Sequence, residues 1–169
     1  MNFEALVAQV GQALVRHQSM VVTAESCTGG MIAEALTSIG GSTAWFDRAY
    51  ITYSYESKKE MLGVNEMTIQ KKGAVSQACV EEMALGALQQ SHAKVSVACS
   101  GIAGPTGASL DKPVGTVWLA WAVQGQEAVV SERFLFAGDR QAVREQTTET
   151  ALKGILNLDV IKKELMDSF

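Results

Sequence analysis

Residues 21–30 read VVTAESCTGG, an apolar run that stops at a carboxylate and then sets Ser26, Cys27 and Thr28 ahead of Gly29 and Gly30. A hydroxyl at a turn just before a helix lies near unpaired backbone N–H groups and the positive end of the helix dipole, a place that can bind an oxyanion or a phosphate. The same serine would also serve as a plain helix cap, so the stretch alone leaves both readings open. Cys27 is the rival nucleophile, because a thiol at a helix N-terminus can have a depressed pKa. Serine is a weak nucleophile until a base takes its proton, and neither His17 nor His92 lies in a glycine-rich loop or motif. Lys58 is the alternative base, since a desolvated, neutral lysine can do this work. Tyr53 could hydrogen-bond the lysine or a substrate, and Arg140, in the segment FAGDR, could clamp a phosphate. The segment SGIAGPTG, residues 100–107, has small residues and free amides that let a ligand approach the backbone, but it lacks the GxxxxGK[ST] phosphate loop. Tyr55 and Lys59 fit the YxxxK spacing of short-chain dehydrogenases, yet no GxGxxG fingerprint accompanies them.

The hydrophobic pattern supplies the elements that must hold these groups. Phe3, Leu6, Val7, Val10 and Leu14 recur at helical intervals, predicting a helix over 2–16, and an apolar strand comes next at 20–24. A helix over 28–38 ends at Gly40 and Gly41, and RAYITYS (48–54) alternates as a strand before the short helix ESKKEML, stopped at Gly63. Ser76 caps a helix over 77–90, and KVSVACS (94–100) is the next strand. The loop 101–115 holds four glycines and both prolines of the chain. The runs 116–123 and 128–136, joined by a turn around Gly125, read as an antiparallel hairpin, and a long helix over 139–158 completes the pattern. This order predicts a three-layer α/β/α sandwich with a mixed, mostly parallel sheet and an antiparallel C-terminal hairpin. The loops 25–30, 53–58 and 100–115 would then share the carboxyl ends of the strands, where ligands collect in open α/β sheets.

The chain has 169 residues, 47% of them hydrophobic, enough for one sizeable core, so a single domain over 1–169 is expected. Its net charge of −4 and the lack of a basic run argue against nucleic acid and anionic membrane as partners. No apolar run reaches the roughly 18 residues of a membrane helix, and the N-terminus lacks a signal-peptide pattern, which favours a cytoplasmic protein. Cys27, Cys79 and Cys99 lack CxxC spacing, and no HExxH accompanies the histidines, so neither a disulfide framework nor a metal centre is expected.

Seven segments in register carry a stronger signal than any one of them: AESCTGG (24–30), GS-AWF (41–46), ITYS-ESK (51–58), GAVS (73–76), SGIAGPTG (100–107), KPVGTVW (112–118) and GDR (138–140). Together, over about residues 3–158, they resemble the CinA C-terminal domain family, the nicotinamide-nucleotide amidohydrolases. The resemblance implies hydrolysis of the carboxamide of nicotinamide mononucleotide to nicotinate mononucleotide and ammonia, in pyridine-nucleotide salvage. It puts the nucleophile on Ser26, the base on Lys58, an active-site tyrosine on Tyr53 and an active-site arginine on Arg140. Ser100, Gly101, Gly104 and Thr106 fall in its substrate-facing loop, and N–H groups near Thr28, Gly29 and Gly30 would stabilise the oxyanion. It implies no metal or redox cofactor, a small-molecule nucleotide as substrate, and a homo-oligomer, with a dimer favoured. Larger members carry this domain behind a molybdopterin-binding-like domain, and this chain reads as the stand-alone form.

One position departs from the family pattern YSN-x-x-K, in which Tyr55 stands where an asparagine is usual. That substitution motivates the alternative of a catalytically silent nucleotide-binding or regulatory domain. A third reading, a structural assembly module, rests on the hairpin TVWLAWAV with Trp118 and Trp121.

Overall fold

In the computed structural model, residues 2–158 and 161 are described. The expected unit over 1–169 therefore includes positions outside the described residues. Among the described residues the elements run α1 (Glu4–Arg16), β1 (Val21–Glu25), α2 (Met31–Thr37), a short 3-10 turn (Ser42–Ala44), β2 (Phe46–Ile51), α3 (Tyr55–Leu62), α4 (Glu66–Lys72) and α5 (Gln77–Gln89). Then come β3 (Val95–Gly101), β4 (Thr116–Val123), β5 (Val130–Leu135) and α6 (Arg140–Leu156).

The five-stranded sheet has the order β2-β1-β3-β4-β5. β1 pairs parallel with β2 and with β3, whereas β4 is antiparallel to β3 and to β5. Four of the five strands therefore run in one direction, with β4 reversed, as the predicted hairpin requires.

Strand alternation sorts the side chains onto two faces of unlike size. Val21, Val95, Val97, Val117, Leu119 and Trp121 point to the face covered by α1, α2 and α6. Ala24, Ala98, Ala120 and Ala122 point to the other face, where they meet α5 and residues of α3 and α4. The small side chains let α5 lie close to the sheet centre, near enough for Ser96 Oγ to donate to the Ala84 carbonyl at 2.8 Å. On the opposite face Trp121 fits against Gly154 of α6 and donates from Nε1 to the Ala151 carbonyl at 3.0 Å. Trp121 is thus core, and Trp118 packs against the other apolar cluster, so neither tryptophan is free to form an assembly face.

Two boundaries and one helix depart from expectation. β2 ends at Ile51, three residues short of the predicted 54: Thr52 N–H still donates to the Glu25 carbonyl at 2.8 Å, but Ser54 turns away and caps α3 by accepting from Ser57 N–H at 3.1 Å. α2 begins at Met31, not at 28, because residues 26–30 form a turn in which Gly29 and Gly30 have φ of +59° and +103°. α4 is absent from the predicted order; its sequence EMTIQKK buries only Ile69, so it has no apolar periodicity to read, and Asn65 caps it by accepting from Met67 N–H at 2.8 Å.

Candidate active site

β1 lies between β2 and β3, and the chain leaves its carboxyl end toward α2 on one face but reaches β3 through α5 on the other. The sheet thus has its topological switch at the carboxyl end of β1, where a crevice opens between the diverging connections. A cavity of about 350 Å³ occupies it, lined in part by Ser26, Tyr53, Lys58, Ser100, Gly101 and Lys112.

Ser26 and Lys58 meet there. Lys58 Nζ lies 3.1 Å from Ser26 Oγ, 2.6 Å from the Thr52 carbonyl and 3.3 Å from that of Tyr53. The contact has a local cause: the Ser54 cap starts α3 directly after β2, and Lys58 and Leu62, four residues apart, form its buried face. Only 1% of Lys58 is exposed, and burial pushes its ammonium below the ordinary lysine value, partly offset by the thiols of Cys79, Cys99 and Cys27. Cys27 also borders the cavity, but hydrogen bonding to Cys99, then burial, pushes its thiol well above the ordinary value. That thiol stays protonated at neutral pH, which disfavours it as a nucleophile.

Glu25 explains the charge that ends the first apolar strand. Its carboxylate is fully buried and accepts five hydrogen bonds, from Thr23 Oγ1 (3.0 Å), Thr28 Oγ1 (2.6 Å), and the N–H groups of Gly30 (3.0 Å), Ile32 (3.1 Å) and Ala33 (2.9 Å). The positive end of α2 is therefore neutralised from within the chain. Gly29 N–H donates to the Ser26 carbonyl at 3.1 Å. The expected oxyanion role of the Gly29 and Gly30 amides is corrected by these bonds: both donors are occupied, and the Thr28 hydroxyl faces Glu25, away from a ligand. Thr28, Gly29 and Gly30 instead fix the turn that presents Ser26.

Arg140 does not line the cavity. It donates to the Gly104 carbonyl at 2.8 Å and to Tyr53 Oη at 3.0 Å, bracing the glycine loop against the exposed tyrosine. Four residues on, Arg144 donates to the Thr28 carbonyl at 2.8 Å, so one face of α6 ties both the loop and the serine turn. Ser100 and Gly101 border the cavity, whereas Gly104 and Thr106 lie beyond its lining. Tyr55, at the first position of α3, also lines the cavity.

Sequence reasoning passes over Glu25, Arg144 and Lys112 as site residues. For Glu25 the signal is present, a carboxylate closing an otherwise uncharged strand. For Arg144 it is the spacing of four from Arg140 on one helix. Among the described residues no group of three or more His, Cys, Asp or Glu is arranged to hold a metal ion. No described helix is long and apolar enough to cross a membrane. A roomier cavity of about 500 Å³ between β5 and α6 includes Trp121, Phe134 and Leu158 but no serine or cysteine.

Fold and crevice define a three-layer α/β protein with an open cavity at its strand ends. The chain belongs to the CinA C-terminal domain family, whose profile matches residues 3–158. It is 53% identical over 148 residues to the nicotinamide-nucleotide amidohydrolase PncC of Escherichia coli K12, covering 88% of this chain and 89% of that one. The PncC of Pseudomonas putida is 53% identical over 153 residues, covering 90% and 94%. A crystal structure of a competence/damage-inducible protein from Agrobacterium tumefaciens superposes with a TM-score of 0.89 at 41% identity, covering 93% of this chain and 95% of that chain.

Proposed function

We propose that this chain hydrolyses the carboxamide of nicotinamide mononucleotide, giving nicotinate mononucleotide and ammonia through an acyl-enzyme on Ser26. Relatives named nicotinamide-nucleotide amidohydrolase, at 53% identity over nearly their whole length, support the reaction class. The observation that carries the mechanism is the 3.1 Å approach of a buried Lys58 Nζ to Ser26 Oγ. A neutral amine has two N–H donors and one lone pair. The two nearby carbonyls, of Thr52 and Tyr53, can only accept, so they take the donors and turn the lone pair toward the serine hydroxyl.

In the first half-reaction Lys58 takes the Ser26 proton as Oγ bonds to the carboxamide carbon. With the Gly29 and Gly30 N–H groups engaged, stabilisation of the developing oxyanion falls to the backbone beside Ser26 at the cavity wall. Collapse breaks the C–N bond, and the ammonium of Lys58 returns its proton to the leaving nitrogen, releasing ammonia. Water then attacks the ester, Lys58 takes the water proton, and cleavage of the C–Oγ bond returns that proton to Ser26. These steps use no metal or redox cofactor.

The test is ammonia release from the mononucleotide. Wild type is expected to turn over; Ser26→Ala and Lys58→Ala are each expected to lose about 10²-fold or more in kcat. An undiminished rate in either variant overturns the assigned roles. Saturable binding without turnover by wild type, with activity appearing in Tyr55→Asn, would instead favour the silent binding domain. The same proposal includes a homodimer through the open edge of β5, where Val130 and Leu135 are exposed. Light scattering should then report twice the 18.1 kDa chain mass.

A further inference from the structure

A nucleotide substrate has two unlike ends, a neutral carboxamide that must reach Ser26 and a phosphate that needs a cation. Of the residues lining the 350 Å³ cavity, only Lys58 and Lys112 are cationic. Lys58 is committed at Ser26, and Arg140, expected from sequence to clamp phosphate, is bonded to Gly104 and Tyr53 outside the lining. Lys112 remains. It crosses from the glycine-rich loop to the end of α4, where its Nζ donates to the Lys72 carbonyl at 3.2 Å. Gly73 makes room for it: a Cβ there would lie 3.3 Å from Lys112 Nζ, on a backbone at φ +82°. One bond to a carbonyl leaves an ammonium two further donors.

Lys112 also lines a second cavity of about 330 Å³, which shares Val75 with the first and is bordered by Lys71, Lys72 and Arg133. Asp111 is the only carboxylate on that lining. It is already engaged by Ser109 Oγ at 2.8 Å, and this hydrogen bond, aided by Lys112 and Arg133, holds it below the usual carboxylate range. Four cations against one carboxylate give the junction a positive field, and the capped start of α5, at Ser76 and Gln77, opens on the same space.

We infer that Lys112, at the junction of the two cavities, anchors the phosphate of the nucleotide, with Lys71, Lys72 and Arg133 supplying the surrounding field. The inference rests on the proposed function and assigns the phosphate end of the same substrate. It makes Lys112 the residue that selects the phosphorylated substrate over the riboside.

The experiment compares ammonia release from the mononucleotide and from its dephosphorylated riboside in wild type, Lys112→Met and Lys112→Arg. The ratio of kcat/KM for mononucleotide over riboside is expected to fall about 10-fold to 100-fold in Lys112→Met, as for a lost hydrogen bond to a charged group, and to be restored largely in Lys112→Arg. A ratio unchanged by Lys112→Met overturns the inference while leaving the amidase reading intact. If wild type releases no ammonia from either compound, the amidase reading falls. Calorimetric titration of the same two compounds then decides the subsite: selective weakening of the mononucleotide in Lys112→Met supports it, and equal affinity in wild type and variant overturns it.

Discussion

Glu25 and Lys58 are both fully or almost fully buried charged-type side chains within one small site, and the surroundings of each dictate what it does. Glu25 accepts from five donors, so its place is fixed. Lys58 sits among two carbonyls, a hydroxyl and three thiols, with no carboxylate bonded to it, so burial favours its neutral form. Replacing Glu25 by Gln keeps the shape but points an amide NH₂ at backbone donors. The expected cost is about 1–3 kcal/mol of stability, read by thermal or denaturant melting, with kcat falling more than KM rises because the serine turn loosens. Melting and kinetics indistinguishable from wild type would show that the carboxylate is not what holds the turn. At this scale the sequence is readable in which side chains meet: Ser26, Lys58 and Tyr53, singled out from their types, line one cavity. It is opaque where the backbone spends its own donors, as at Gly29 and Gly30, because occupancy of an N–H is a tertiary fact.

The helices act as brackets for these side chains. α3 presents Lys58 and is itself seated on α5 at Gly86, where a Cβ would stand 1.9 Å from the Leu62 carbonyl oxygen. Gly86→Ala must push α3 outward and carry Lys58 away from Ser26. A loss of about 1–3 kcal/mol in melting is expected from such overpacking, together with a drop in kcat beyond what the unfolded fraction explains. Wild-type kcat in a folded Gly86→Ala variant would show that α3 moves without disturbing the pair. α6 braces from the other side, through Arg140 to the loop and Arg144 to the serine turn. Strong periodicity in α1 and the hairpin, and the Ser76 cap of α5, make these elements legible in the sequence. α4, with one buried residue, and the early end of β2, set by the Ser54 cap, are not. In both places a local hydrogen bond outweighs hydrophobic pattern.

Across the molecule, three parallel strands deliver their carboxyl ends to one edge, and the site is assembled from the residues at and just beyond those ends: Ser26 after β1, Thr52 to Lys58 after β2, and Ser100 and Gly101 at the close of β3. The alternation of strands and helices dictates the layer order and this edge, so the crevice could be placed from the sequence. Its electrostatic division could not: Lys112 reaches the cavity only because the loop folds back to α4, and Arg140 is drawn off to Gly104 and Tyr53. The whole mechanism depends on an uncharged amine at position 58 acting on the hydroxyl at position 26. The most direct measurement is kcat/KM for ammonia release against pH. Since the base works only when deprotonated, and burial lowers its pKa, the rate should rise with pH and level off below the ordinary lysine value of 10.5, a limb missing from the residual rate of Lys58→Ala. A wild-type profile that still climbs through that ordinary value, or one whose rising limb survives in Lys58→Ala, would contradict it.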